Sequence, residues 1–151
     1  MQAKDARRVT VDVSAWPDMV VVLLGFRVGA VRGLPSFLSI GRGLAAIKRS
    51  PPDGLLYSQT GLYAWNHVGI RQYWRDLESL EAFTRSDPHS GWWRTFLADR
   101  HGNGFWHEAF SARGGMEAIY VDMPEPPGLG AFAPAVAAQG LLLSSRGRLG
   151  R

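Results

Sequence analysis

The chain contains no cysteine. Disulfide staples, thiol nucleophiles and thiolate-bound metals are therefore excluded from the outset. The middle of the chain is close to neutral. Its 151 residues hold 17 Lys/Arg against 13 Asp/Glu, a formal net charge of +4. The excess gathers at the ends, in Lys4, Arg7 and Arg8 and in Arg146, Arg148 and Arg151. A nucleic-acid groove needs basic side chains concentrated on one folded face, so no nucleic-acid partner is expected. Long hydrophobic runs are missing too. Met19 to Phe26 is apolar but too short to span a bilayer, and Gly128 to Leu143 is broken by Gly130, Pro134 and Gly140. Arg7 and Arg8 are followed by polar residues rather than by an apolar run ending at a small-residue cleavage site. The expectation is a cytoplasmic protein without a membrane partner. Several catalytic signatures are absent as well. No two histidines stand four apart, no carboxylate–histidine cluster is visible, and there is no Gly-x-Ser-x-Gly elbow. The glycines between Gly25 and Gly33 lack the dinucleotide-binding spacing.

What the chain does have is aromatic mass. Six Trp, seven Phe and four Tyr in a composition 46% hydrophobic suit one well-packed domain. Residues 1–17 are polar and unpatterned and predict an arm. Met19 to Val31 is rich in Val and Leu, as a buried strand requires. Pro35 then opens a helix, and Phe37, Ile40, Leu44 and Ile47 form its apolar stripe up to Lys48-Arg49. Ser50-Pro51-Pro52-Asp53-Gly54 is a break. Leu55 to Tyr63 and Val68 to Arg75 predict an antiparallel hairpin. Asp76 is the expected N-cap of a helix carrying Leu77, Leu80 and Phe83. After Ser86-Asp87-Pro88 a second helical piece carries Trp92, Trp93, Phe96 and Leu97, and Gly102-Asn103-Gly104 closes it. Phe105 to Ala112 and Glu117 to Met123 predict two further strands. Residues 125–151, rich in Ala, Gly and Arg, predict a flexible tail.

The order is β-α-β-β-α-β with one more strand. Split βαβ units in this order predict an α+β, ferredoxin-like antiparallel sheet over residues 18–124, with helices on one face. Too few helices remain to cover the other face. The economical solution is a homodimer, sheet against sheet, forming a dimeric α/β barrel with a ligand cavity between the sheets.

Three segments carry a resemblance to a known group. They are Gly25-Phe26-Arg27-Val28 leading to Leu34-Pro35, then Gln72-Tyr73-Trp74-Arg75-Asp76-Leu77-Glu78-Ser79-Leu80-Glu81-Ala82-Phe83. The third joins Trp106-His107-Glu108-Ala109-Phe110 to Glu117-Ala118-Ile119-Tyr120-Val121-Asp122-Met123-Pro124. Over about Met19 to Pro124 the chain resembles the dimeric α/β-barrel proteins, which include antibiotic-biosynthesis-type monooxygenases. More narrowly it resembles a bacterial "monooxygenase-like" family. Haem-dependent aldoxime dehydratases and spheroidene monooxygenase are more distant relatives. The resemblance implies the fold. Its members span haem enzymes, cofactor-free oxygenases and proteins without known activity, so function rests on the site.

His107 is the first candidate. Strand alternation sets it on one face with Phe105 and Ala109, and Glu108 on the other. Projecting into an apolar cavity, its imidazole can ligate haem iron or act as a base. Alternatively it is a structural histidine bonded to a neighbouring strand. Glu108 is either a pocket carboxyl or the ion-pair partner of Arg71 or Arg75. Arg27, Arg71 and Arg75 can hold a substrate carboxylate or a haem propionate, or form ion pairs across the dimer. Gln72 and Tyr73 are polar handles for substrate or oxygen. His101, at a helix end, is the runner-up haem ligand, while His89 reads as exposed and His67 as a turn residue. The leading expectation is a haem-dependent monooxygenase or dehydratase-like enzyme acting on a small hydrophobic substrate. The alternatives are a cofactor-free monooxygenase and a non-catalytic binding or dimerisation barrel. In the last case Trp74 and Trp106 would fill the barrel interior.

Overall fold

A computed structural model of the chain describes residues 15–87, 89–98, 100–124 and 135–150. Eight residues of alternating burial form β1, Val20–Arg27. A 3-10 turn, Val31–Gly33, leads into α1, Leu34–Arg49, with Pro35 in its first turn, where the missing N–H costs nothing. The Pro-Pro break gives way to the hairpin of β2, Leu55–Ala64, and β3, His67–Trp74. Asp76 caps α2, Leu77–Arg85, by accepting the Ser79 N–H at 2.7 Å. The helix α3, His89–Ala98, and the strands β4, Gly104–Ser111, and β5, Met116–Val121, complete the predicted series.

The strands form one sheet in the order β2-β3-β1-β4-β5, every neighbour antiparallel. This is the α+β, ferredoxin-like arrangement with β5 added beside β4. Because paired residues share a face, the register sorts the side chains into two sets. Trp74-Val20, Gln72-Val22-Ala109-Glu117 and Ile70-Leu24-His107-Ile119 form rows on the helix-covered face. Arg71-Leu23-Glu108-Ala118 and Gly69-Gly25-Trp106-Tyr120 form rows on the opposite face.

The tightest core lies under α2. Val20, Val22, Trp74, Leu77, Leu80 and Ala109 are buried together, and Trp74 stacks at 5.3 Å on Phe83. Toward α3 the packing is aromatic, with Phe26–Phe96 at 5.7 Å and Trp93–Phe105 at 5.2 Å. Trp92 lies flat against Gly43 of α1, where a Cβ would come within 2.5 Å of the indole. That close approach draws α1 and α3 together as opposite walls of a cavity.

Two expectations are corrected here. Residues 125–134 lie outside the described residues, as do residues 1–14 of the predicted arm. The remainder of the predicted tail, however, contains a 3-10 turn, Gly140–Leu143, and a short helix α4, Ser145–Arg148. It is seated on the domain. Arg146 meets Glu81 of α2 at 2.9 Å, Arg148 meets Glu117 of β5 at 2.5 Å, and Leu149 packs against the core. Composition suggested a mobile end, but two arginine–carboxylate pairs hold it. Second, Trp74 and Trp106 do not face one another across an interior. They project from opposite faces of the sheet.

Candidate functional site

A cavity lies between the sheet and the helices. It encloses about 730 Å³. Val22, Leu24, Phe26 and Ile70 form its floor, Ile40, Leu44 and Ile47 of α1 one wall, and Trp92, Trp93 and Phe96 of α3 the other. Leu143 to Arg148 close part of its rim. The polar groups reaching it are Gln72, His89, His107, the mouth residues of α2, and Ser144, Ser145, Arg146 and Arg148 of the C-terminal segment. An apolar chamber with a few convergent polar groups is the usual form of a small-molecule site.

His107 is half-buried on β4, and its Nε2 lies 2.8 Å from Oε1 of Glu117. The two are diagonal neighbours, since Ile119 pairs with His107 and Glu117 stands two residues away on the same face. The contact is close but not aligned as a directed hydrogen bond. Glu117 has a fully buried side chain, and its second oxygen takes the Arg148 guanidinium at 2.5 Å. Burial opposes ionisation of Glu117. His107 and Arg148 override that penalty and hold its carboxyl at about 2, against an ordinary value of 4.5.

His89 opens α3 on the same cavity. Its Nδ1 stands 3.2 Å from the Thr84 carbonyl. A carbonyl only accepts, so Nδ1 carries the proton and the neutral ring keeps its lone pair on Nε2. Burial depresses its proton affinity, and the neighbouring His107 depresses it further, against the opposing pull of the Thr84 carbonyl. Gln72, buried in the floor, accepts the Trp74 indole N–H on Oε1 at 3.1 Å.

The sequence-predicted residues are brought together only in part. His107 lines the cavity. Glu108, Arg71 and Tyr73 project from the opposite face. Glu108 accepts the Tyr120 hydroxyl at 2.6 Å, and Leu23 stands between it and Arg71 in their shared row. Arg71 donates to Gln59 at 2.6 Å and lies over the Tyr73 ring. Arg27 ends β1 on that same face, beside His67. Arg75 is a structural clamp. It binds Asp53, Asp76 and the Ser79 hydroxyl, which raise its proton affinity. His101 lies outside the cavity with a left-handed φ of 51°. The unusual Trp106 has a structural role, its indole N–H donating to His67 Nε2 at 2.7 Å.

Sequence reasoning missed His89, Glu117 and Arg148. Glu117 left a usable signal, an acid alternating with Ile119 and Val121 on an otherwise apolar strand face. Arg148 left none, because its partner is 31 residues away and the contact depends on how the end of the chain docks.

The sequence pattern of the monooxygenase af470-like family matches residues 19–129. The chain belongs to that family. The match takes in the whole sheet, α1 to α3 and His107, and stops before the segment that carries Arg148. No curated protein matches the chain in sequence. Among solved structures, a protein from Shewanella oneidensis aligns at 9% identity and a TM-score of 0.52, over 68% of this chain and 94% of its own. A conserved protein from Bacteroides thetaiotaomicron aligns at 13% identity and 0.51, over 63% and 98%. An aldoxime dehydratase, solved with butyraldoxime, aligns at 23% identity and 0.49, over 90% of this chain and 40% of its own. At these identities the likeness is one of fold. Among the described residues, no helix is long and apolar enough to cross a membrane, and no three His, Asp or Glu side chains cluster to hold a bare metal ion.

Proposed function

We propose that this monooxygenase-like protein is an enzyme that oxidises a small apolar substrate held between the sheet and the helices. His107 is the group that moves a proton. One observation carries this reading: the His107 imidazole lines an apolar chamber of about 730 Å³ with a carboxylate 2.8 Å behind it. A base in such a place can take a proton from a substrate hydroxyl or an activated C–H. The dry walls keep water from the reactive species. In the cofactor-free version the substrate supplies the electrons: O2 converts an activated CH2 to C=O and the second oxygen leaves as water.

A specific observation favours a haem-dependent version as the second reading. His89 would hold the haem iron, with its Nδ1–H fixed by a backbone carbonyl and its Nε2 unprotonated. His107 suits that role less well, because its Nε2 is engaged by Glu117. Haem bound there would supply a redox-active Lewis-acid centre, with Arg146 and Arg148 as the nearby cations.

Absorption spectra after adding haemin, with His89→Ala and His107→Ala alongside, separate the versions. A sharp Soret band lost in His89→Ala and retained in His107→Ala supports haem on α3. Free-haemin spectra throughout, with O2 uptake by the metal-free protein on activated-methylene compounds, support the cofactor-free version. In either version His107→Ala lowers turnover by at least about a hundredfold. Unchanged turnover in that variant removes His107 from the reaction. As the partner, we propose a second copy of this chain over the bare face of the sheet.

A further inference from the structure

The segment that closes the cavity also reaches the group proposed to do the chemistry. Glu117 is a single carboxylate between two basic side chains. His107 approaches one oxygen at 2.8 Å and Arg148 the other at 2.5 Å, with side-chain exposures of 16% for His107, 11% for Arg148 and 0% for Glu117. Buried charge must be balanced locally. With Arg148 in place, the carboxylate is already neutralised, and a protonated His107 would add an uncompensated positive charge. With Arg148 withdrawn, His107 is the group among the described residues that can balance Glu117.

We propose that Arg148 is a positioning residue: by docking onto Glu117 it keeps the His107 ring neutral and able to accept a proton. The inference rests on the reading of His107 as the proton-transfer group. It gives the C-terminal segment two linked effects. Leu143 to Ser145 complete the cavity wall, and Arg148 sets the charge of the base inside it. The segment is built to present that guanidinium. Nη1 of Arg148 donates to the Leu142 carbonyl at 2.8 Å, the Ser144 hydroxyl caps α4, and Leu149 anchors the far side on the core. Other titratable groups face His107 as well. His89 projects from α3, with its proton affinity already depressed, and Glu81, Arg85 and Arg146 surround the mouth. Glu81 holds both mouth arginines, which leaves Arg148 as the cation against Glu117. Because the segment lies beyond residue 129, this control is added to the family's matched region.

The test reads the ring directly. The full chain is labelled with 15N-histidine, the His107 signal is assigned by its loss in H107N, and its titration is followed through the neutral range. In R148Q the His107 proton should persist to a pH about one unit or more above the parent, because the Glu117 carboxylate has lost its other counter-charge. R148K should stay close to the parent. Measured against E117Q alone, the double variant E117Q/R148Q should show no upward shift, because the link runs through the carboxylate. A parent-like titration in R148Q, a shift in R148K as large as in R148Q, or a shift that survives in the double variant would each overturn the proposal. Far-UV circular dichroism and thermal melts check that each variant is folded. If R148Q does not fold, R146Q loosens the same segment at its exposed pair with Glu81. A smaller shift in the same direction is then expected, and no shift, with amide exchange showing the segment loosened, overturns the proposal. Turnover is not the readout, so a His107 without a catalytic part and an Arg148 without influence give different results.

Discussion

Glu117 shows how much one buried residue can hang on its neighbours. Burial pushes its carboxyl up, yet His107 and Arg148 hold it at about 2 rather than 4.5. A carboxyl depressed in the folded state stabilises the fold above the unfolded value. That stability is lost as pH falls from about 4.5 toward 2. The difference in proton affinity corresponds to on the order of 3 kcal/mol, at about 1.4 kcal/mol per pH unit. Glu117→Gln should therefore cost roughly 3 kcal/mol at neutral pH and should flatten the acid limb of the stability curve. Urea unfolding at neutral pH and at pH values stepped below 4 checks both. A variant as acid-sensitive as the parent would move the acid dependence to other carboxylates. The same residue scale explains what the sequence concealed. His107 was legible because alternation along one strand fixes its face. His89 was not. It follows Asp87-Pro88 and looks like an exposed first-turn residue, but α3 turns it onto Phe83 and the Thr84 carbonyl.

Elements were the most legible level. The α1 stripe, the hairpin and the strand pair β4–β5 all follow from periodicity and punctuation, because helix and strand place apolar residues at different spacings. The N-cap of α2 is the sharpest local case. Asp76 accepts the Ser79 N–H and also pairs with Arg75 at 2.9 Å. The Ser79 backbone N–H is the largest cause holding its carboxyl below the usual range. Asp76→Ala should destabilise the domain by about 1–2 kcal/mol through the lost cap, and Asp76→Asn should recover most of it. Chemical denaturation of the two variants measures this; equal losses would mean that the Arg75 pair, not the cap, carries the effect. The last element was misjudged for a physical reason. Gly, Ala and Arg promise neither period nor core, so α4 has no signature of its own. It is held by contacts with α2 and β5.

Across the whole molecule, the sheet has two faces of different character. The helix side encloses the cavity. The opposite side is bare among the described residues and aromatic, with Tyr57 52% and Tyr63 61% exposed near the buried Trp106 and Glu108. A face of this kind, mixing aromatic rings with a few fixed polar groups, suits a symmetric interface. Sedimentation velocity should give twice the chain mass, and Tyr57→Glu with Tyr63→Glu should return the monomer while the far-UV spectrum is unchanged. A parent that sediments as a monomer at high concentration would remove the second copy from this face. Because the cavity lies on the helix side, such a dimer would leave substrate access to each copy's own mouth.

The sequence by itself determined the element order, the ferredoxin-like α+β class, the family and the face on which His107 stands. Each is written in local spacing or in a contiguous motif. Only the tertiary structure decided which face of the sheet holds the cavity, because alternation separates two faces without saying which one the helices cover. It also decided which charges meet. Glu108 and Arg71 share a row yet are kept apart by Leu23, whereas Glu117 and Arg148 are distant in the chain and in contact in the fold. Such pairings depend on register and docking, and no single stretch of sequence encodes either.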